Sequence, residues 1–241
     1  MKIDVLGLRV DNVTMDEAVK AVVLWTKERR SKTIFTPNAE IVMASIKNTS
    51  FRDILNSSDL TIPDGAGVVL GSKLLKTPIT EKVAGIDLIT TVFKRDNPLS
   101  VFLFGGSPGV AEKASKNIHL EFPSVNICGT IHGYHDPSYH ETIITEINNA
   151  SPDLLLVALG PPLQENWIYN NRNRLQTGML IGCGGALDVF SGNIKRAPAW
   201  MIKLNLEWLH RLIKQPKRIG RMMRIPVFLL LCIKKRLFGK A

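Results

Sequence analysis

Six short apolar runs recur along the chain: Thr33–Thr36, Leu60–Ile62, Val101–Phe104, Val125–Ile131, Leu154–Leu159 and Met179–Ile181. Among them lie stretches with helical periodicity, such as Met15–Arg29, Pro108–Phe122, Tyr139–Asn149 and Gln164–Arg174. Strands that are apolar on both sides cannot face water. Separated by helices, they pair in parallel and are covered on both faces. The expected fold is therefore α/β, a mostly parallel sheet with helices on both faces. Helix starts are marked: Thr14-Met-Asp-Glu17 reads as a capping box, and Ser107-Pro108 as an N-cap followed by proline at the first helical position. There is no internal repeat and no low-complexity segment.

Charge divides the chain unevenly. From Lys195 to Ala241 there are thirteen Lys or Arg and one acid, Glu207, a net of +12; the preceding 194 residues sum to −2. The expected organisation is a near-neutral globular body over 1–194 and a basic, amphipathic, helical appendage over 195–241, with the boundary near Asn193–Ala197. Arg211, Lys214, Lys217, Arg218, Arg221 and Arg224 recur mostly three or four residues apart, one stripe on a helix, interleaved with Leu206, Trp208, Leu209, Leu212, Ile213 and Ile219. A solvated helix face is usually mixed in sign. An almost acid-free one points to phosphate, and here to an anionic lipid surface. Nucleic acid is disfavoured, since there is no helix-turn-helix, RNP motif or zinc finger. The longest apolar run near a terminus, Ile225–Ile233, has nine residues, against the ~20 of a spanning helix. The exposed apolar surface also invites self-association. Cys128, Cys183 and Cys232 are scattered without a CxxC spacing, and Met1-Lys2-Ile3-Asp4 does not read as a signal peptide. The expected location is cytoplasmic, peripheral to the membrane.

In an open parallel sheet, ligands sit beyond the carboxyl ends of the strands. The segments following the six runs are Pro37-Asn38, Pro63-Asp64-Gly65, Gly105-Gly106-Ser107-Pro108-Gly109, His132-Gly133-Tyr134, Gly160-Pro161-Pro162-Leu163-Gln164-Glu165 and Gly182-Cys183-Gly184-Gly185. Their glycines and small polar residues predict a cleft along one rim. Gly105–Gly109 reads either as a diphosphate cradle at a helix N-terminus or as an ordinary glycine turn; it is neither GxGxxG nor a P-loop. Asp64 reads either as a general base held close to a ligand or as a turn and cap residue. Thr36 and Asn38 offer a hydroxyl and an amide, though Asn38 also suits the cap of a helix at Ala39–Lys47. Gln164 reads as polar lining, and Glu165 as a complement to the helix dipole. His132, His135 and His140 lie in a loop setting without nearby cysteine or HExxH, so solvated histidine outweighs a metal site. No Asp-x-Asp pair occurs. The sequons at Asn48 and Asn56 carry no weight without secretion.

Taken together, the motifs resemble the WecG/TagA/CpsF family of bacterial glycosyltransferases, most closely its TagA branch. The matching segments are Thr36-Pro-Asn-Ala-Glu40, Pro63-Asp-Gly-Ala-Gly67, Val83-Ala-Gly-Ile-Asp87, Phe104-Gly-Gly106, Gly133-Tyr134, Leu159-Gly-Pro-Pro-Leu-Gln-Glu165, Gly182-Cys-Gly-Gly-Ala186, Arg196-Ala-Pro198 and Leu206-Glu-Trp-Leu-His-Arg211. They run through nearly the whole chain. The resemblance implies a Rossmann-like fold and inverting, metal-independent transfer of N-acetylmannosamine, with no cofactor. The implied donor is a UDP-sugar and the implied acceptor is undecaprenyl-diphosphate-linked N-acetylglucosamine, a step of wall teichoic acid synthesis. It places the base on Asp64, with Thr36, Asn38 and Gln164 lining the site. The rim loops then put the nucleotide sugar against Gly105, Gly106, Gly133, Tyr134, Gly160, Pro162, Gln164, Glu165 and Lys82. Arg211, Arg218, Arg221 and Arg224 would neutralise the diphosphates. Lys82 stands where the family usually has arginine, whose bidentate fork a lysine cannot reproduce. The alternatives are another UDP-sugar donor for exopolysaccharide or related glycans, an NAD-dependent enzyme, which the absence of GxGxxG disfavours, and a non-enzymatic membrane adaptor.

Overall fold

The computed structural model describes residues 1–214, 216 and 219–239, apart from the side chains at 221 and 222. The chain starts with an antiparallel hairpin that the apolar runs do not announce. Strand β1 (Lys2–Val5) pairs with β2 (Leu8–Asp11), Val5 opposite Leu8. The two turn residues, Leu6 and Gly7, both have positive φ, as the tightest hairpin loops require. Ile3, Val5, Leu8 and Val10 point inward and are buried.

The main sheet is built from β3 (Lys32–Phe35), β4 (Leu60–Thr61), β5 (Leu99–Gly105), β6 (Val125–Ile131), β7 (Leu154–Ala158) and β8 (Met179–Gly182). Their order is β4-β3-β8-β7-β5-β6, and every pairing is parallel. Each expected run is a strand, with ends displaced by at most two residues. The helices through the body are α1 (Met15–Glu28), α2 (Ala39–Lys47), α3 (Thr49–Asn56), α4 (Ala66–Leu74), α5 (Gly85–Phe93), α6 (Val110–Glu121), α7 (His140–Ala150), α8 (Leu163–Asn171) and α9 (Ala186–Phe190). After them come α10 (Ala199–Lys203), α11 (Glu207–Lys214), α12 (Ile219–Met222) and α13 (Arg224–Phe238).

Side-chain alternation along the strands splits the core in two. Val101, Leu103, Leu154, Leu156, Met179 and Ile181 face the layer of α1, α5, α6 and α9. Phe102, Phe104, Leu155, Val157 and Leu180 face the layer that contains the hairpin, α2, α3, α4, α7 and α8. The capping box of α1 forms, Thr14 and Glu17 each accepting a backbone N–H from the other. The start of α6 differs from expectation. Val110 N–H donates to Ser107 O at 3.0 Å, and Gly109 has φ +85° and ψ −12°. Pro108 and Gly109 thus occupy the middle of a type II turn, so Gly109, not Ser107, caps the helix.

The basic segment rejoins the core. Helix α13 lies against α2 and α4, and its Phe228 and Cys232 are fully buried. Phe228 is seated where α4 has no side chain: a Cβ on Gly71 would lie 2.5 Å from its Cζ and 3.1 Å from Cys232 Sγ. Lys235 Nζ donates to Asp4 Oδ1 at 2.7 Å, joining the last helix to the first strand. On its other side α13 leaves Val227, Leu230, Ile233 and Leu237 exposed. Among the described residues no helix is long and apolar enough to cross a membrane. A leucine at position 71 would occupy the Phe228 seat, and overpacking of this kind costs about 1–3 kcal/mol. Gly71→Leu is therefore expected to lift α13 while leaving the sheet intact, seen as new proteolytic cleavage within 219–239 with unchanged cleavage elsewhere.

Candidate active site

Parallel pairing delivers six segments to one rim. Where β5 and β7 end side by side, Gly105 opposite Ala158, contact is so close that only glycine fits. Gly105 has φ +128°, and a Cβ there would lie 2.4 Å from the Ala158 carbonyl. Gly106 N–H donates to Ala158 O at 3.0 Å and Gly133 N–H to Gly106 O at 2.8 Å, lacing the loops after β7, β5 and β6 together. Tyr134 stands 72% exposed beside them. The rings of His132 and His135 stack at 3.9 Å, and those of His135 and Tyr139 at 4.7 Å.

At the other end of the rim, β4 leads into Pro63-Asp64-Gly65. Asp64 N–H donates to Ile62 O at 3.0 Å, a tight turn, and Val83 N–H donates to Pro63 O at 3.1 Å, drawing the start of α5 alongside. The Asp64 carboxylate accepts the Gly85 N–H of that helix. Gly85 also lets the start of α5 lie close to Thr36, since a Cβ there would come to 3.0 Å from Thr36 Cγ2. Burial pushes the Asp64 carboxyl up to about 7; Arg211 opposes the rise, Glu207 adds to it, and the Gly85 N–H and Lys82 oppose it. Asp64 is thus a desolvated carboxyl within the electrostatic reach of Arg211 and Lys82.

The other expected site residues are brought to the same rim, several of them already bonded. Thr36 is buried and its Oγ1 donates to Gly182 O at 3.1 Å, tying β3 to β8. Asn38 caps α2, its Oδ1 accepting the Ile41 N–H at 3.0 Å. Gln164 is 1% exposed: its Oε1 accepts from Gly160 N–H at 3.2 Å and Gly184 N–H at 2.9 Å, while Nε2 donates to Glu165 Oε1 at 2.9 Å. It fastens the loops after β7 and β8. Pro162 precedes α8 and is exposed, with a cis bond to Pro161. Glu165 does not face solvent near the dipole. It is buried, its Oε2 has no hydrogen-bond partner, and burial pushes its carboxyl up to about 7.

The basic segment reaches this end of the rim. Arg196 makes a two-pronged contact with Asp87 in the first turn of α5, both N···O distances 2.7 Å. Glu207, opening α11, lies 3.8 Å from Arg196 Nε and 3.7 Å from Arg211 Nη2. Lys82 Nζ donates to Asn205 Oδ1 at 3.2 Å. Arg224 is exposed at the start of α13. Arg218 and the Arg221 side chain lie outside the described residues. The sequence reading did not assign Asp87, Arg196, Asn205 or Glu207 to the site. Their only sequence signal, for all but Asn205, is membership of the matched segments.

The parallel α/β sheet thus carries at its carboxyl rim a desolvated carboxyl under the influence of Arg211 and Lys82, and loops laced by glycine, a layout able to stabilise an anionic leaving group. The chain belongs to the glycosyl transferase WecG/TagA/CpsF family, whose profile matches residues 3–241. It is similar to an N-acetylglucosaminyldiphosphoundecaprenol N-acetyl-beta-D-mannosaminyltransferase of Bacillus subtilis (strain 168), 40% identical over 204 residues, 84% of this chain and 79% of that protein. A protein of the same name from Staphylococcus aureus (strain MW2) is 35% identical over 232 residues, 95% of this chain and 91% of its own.

The buried Glu165 gives a stability test. Its carboxyl titrates near 4.5 when unfolded and at about 7 when folded. The folded chain keeps a proton that the unfolded chain loses, so this residue's contribution to stability falls as pH rises from 4.5 to about 7. Glu165→Gln is expected to match the wild type below pH 4.5 and to exceed it increasingly up to about pH 7. Thermal unfolding across that range checks this; a constant difference would refute the buried, protonated state.

Proposed function

We propose that this chain transfers N-acetylmannosamine from UDP-N-acetylmannosamine to undecaprenyl-diphosphate-linked N-acetylglucosamine, with inversion. The single observation that carries the mechanism is the Asp64 carboxyl, pushed up to about 7 by burial and flanked by Arg211 and Lys82. A base with such a value is partly deprotonated near neutral pH and strong enough to take a proton from a sugar hydroxyl as it attacks. In the proposed step, Asp64 accepts the acceptor's hydroxyl proton. That oxygen forms the new bond to the anomeric carbon while the bond to the UDP oxygen breaks, the electron pair leaving with UDP. The developing charge on the diphosphate requires fixed positive partners. Lys82, Arg211, Arg218, Arg221 and Arg224 supply side-chain charge, and the Gly105–Gly106 backbone faces the nucleotide. Thr36, Asn38 and Gln164 hold the rim in shape, with Gly133, Tyr134, Gly160, Pro162 and Glu165 around the donor. Segment 195–241 completes the site in this reading.

The names of the two relatives support the acceptor and the donor sugar. The outer face of α13 supports a membrane setting: Val227, Leu230, Ile233 and Leu237 are exposed at helical spacing beside Arg224, Lys234 and Arg236. Such a face binds an anionic bilayer by burying apolar side chains and neutralising head groups.

Two outcomes test this reading. Asp64→Asn is expected to lower turnover about 10²–10⁴-fold, the usual contribution of a positioned base, with UDP binding kept. In the wild type kcat/KM should climb with pH up to about 7 and then level off. Near-wild-type turnover by the Asn variant would remove Asp64 from the role. Leu230→Glu with Leu237→Glu is expected to abolish co-sedimentation with vesicles containing phosphatidylglycerol while sparing transfer to a soluble, short-chain acceptor. Undiminished co-sedimentation would put the membrane contact elsewhere.

A further inference from the structure

Glu207 is the one acid among the last 47 residues, and it is not on the solvated face of its helix. Its side chain is 20% exposed and its Oε1 faces two guanidinium groups, 3.8 Å from Arg196 Nε and 3.7 Å from Arg211 Nη2. The first of these is fixed. Arg196 is committed to Asp87 through two 2.7 Å contacts, and its buried Nε has no hydrogen-bond partner. It therefore holds Glu207 through charge, without a saturating bond. The second partner is less tightly held. Arg211 sits one turn further along α11, in the favourable acid-before-base order, at a distance longer than a charge-assisted hydrogen bond of about 2.7–2.9 Å. Asn205, which accepts from Lys82, pins the residues just before α11 to the same stretch of the body.

We propose that Glu207 is a positioning residue: anchored by Arg196 on Asp87, it keeps Arg211 beside Asp64 until an anionic group of the substrate takes that guanidinium over. The inference rests on Asp64 being the base. The charged side chains facing Asp64, among the described residues, are Arg211, Glu207 and Lys82, with Arg196 behind them. Before substrate binds, the charge of Glu207 is offset by Arg211. When a diphosphate engages Arg211, Glu207 faces Asp64 with one counter-charge fewer. Substrate arrival then strengthens the base at the point where it is needed. A salt bridge that only braced the fold would have no such consequence.

The test uses Glu207→Gln, which keeps shape and removes charge, and Glu207→Asp, which keeps charge, both in the full chain. The Asp64 carboxyl is followed by carbon-13 NMR, its resonance assigned by its loss in Asp64→Asn. Glu207→Gln is expected to lower the Asp64 midpoint by about half a unit to one unit, the scale of one nearby charge. The rising limb of kcat/KM should move the same way, and Glu207→Asp should restore most of both. The effects of Glu207→Gln and Arg211→Ala on kcat/KM should also be non-additive, as expected of residues acting through one contact. An unmoved midpoint with additive effects would overturn the proposal, even with Asp64→Asn inactive. A shifted midpoint with Asp64→Asn still active would instead overturn the assignment of the base, leaving the positioning contact in place.

Discussion

Parallel pairing of the six strands is the constraint on which the rest of the molecule depends. Parallel strands have to be covered on both faces, and the alternating side chains of β5, β7 and β8 do this by feeding two separate apolar layers. The same pairing sends every strand's exit to one rim. There Pro63-Asp64, Gly160–Gln164 and Gly105-Gly106 line one edge although they are far apart in sequence, Asp64 toward one end and Gly105-Gly106 toward the other. The chemistry of the site is thus a by-product of strand direction. No single loop contains it.

What the sheet supplies is a place to withdraw one carboxyl from water without leaving it unbonded. The start of α5 gives Asp64 a backbone donor through Gly85, while Thr36 and Gln164 use their polar atoms to hold neighbouring loops. Positive charge comes from Lys82 on the body and from Arg211 on the basic segment. The buried carboxyl and the cations that act on it therefore sit on elements that meet only after folding. The long-range contacts Arg196–Asp87, Lys82–Asn205 and Lys235–Asp4 keep them together.

Most of the sheet was legible because apolar runs of strand length are a local signal; β6 matches its expected bounds at both ends. Elements with weaker local signals were not. Strands β1 and β2 have four residues each, although Ile3, Val5, Leu8 and Val10 alternate about Gly7. Helix α5 starts on a glycine without a side-chain cap and buries Leu88, Ile89, Val92 and Phe93, so it reads as a plain apolar run. Ser107-Pro108 looked like a helix start because the turn made by Pro108 and Gly109 competes for the same residues. At the site, Asp64 was visible as a carboxylate after a strand. The burial of Gln164 and Glu165 was not, since it depends on loops from three strands. The excess of positive charge in the last segment was plain, but nothing near Phe228 in sequence names Gly71 as its seat.

That seat has a consequence for how the molecule comes into being. A chain is made from its N-terminus, so α4 and its glycine notch emerge long before Phe228 and Cys232. Through that interval the apolar layer around Val68 and the hairpin lacks part of its cover, and Arg196, Glu207 and Arg211 have not arrived beside Asp64. The cluster of charged side chains around Asp64 is consequently completed only when the last segment has been made. A nascent chain carrying a complete sheet still has an open apolar groove over Gly71, which Phe228 and Cys232 close last.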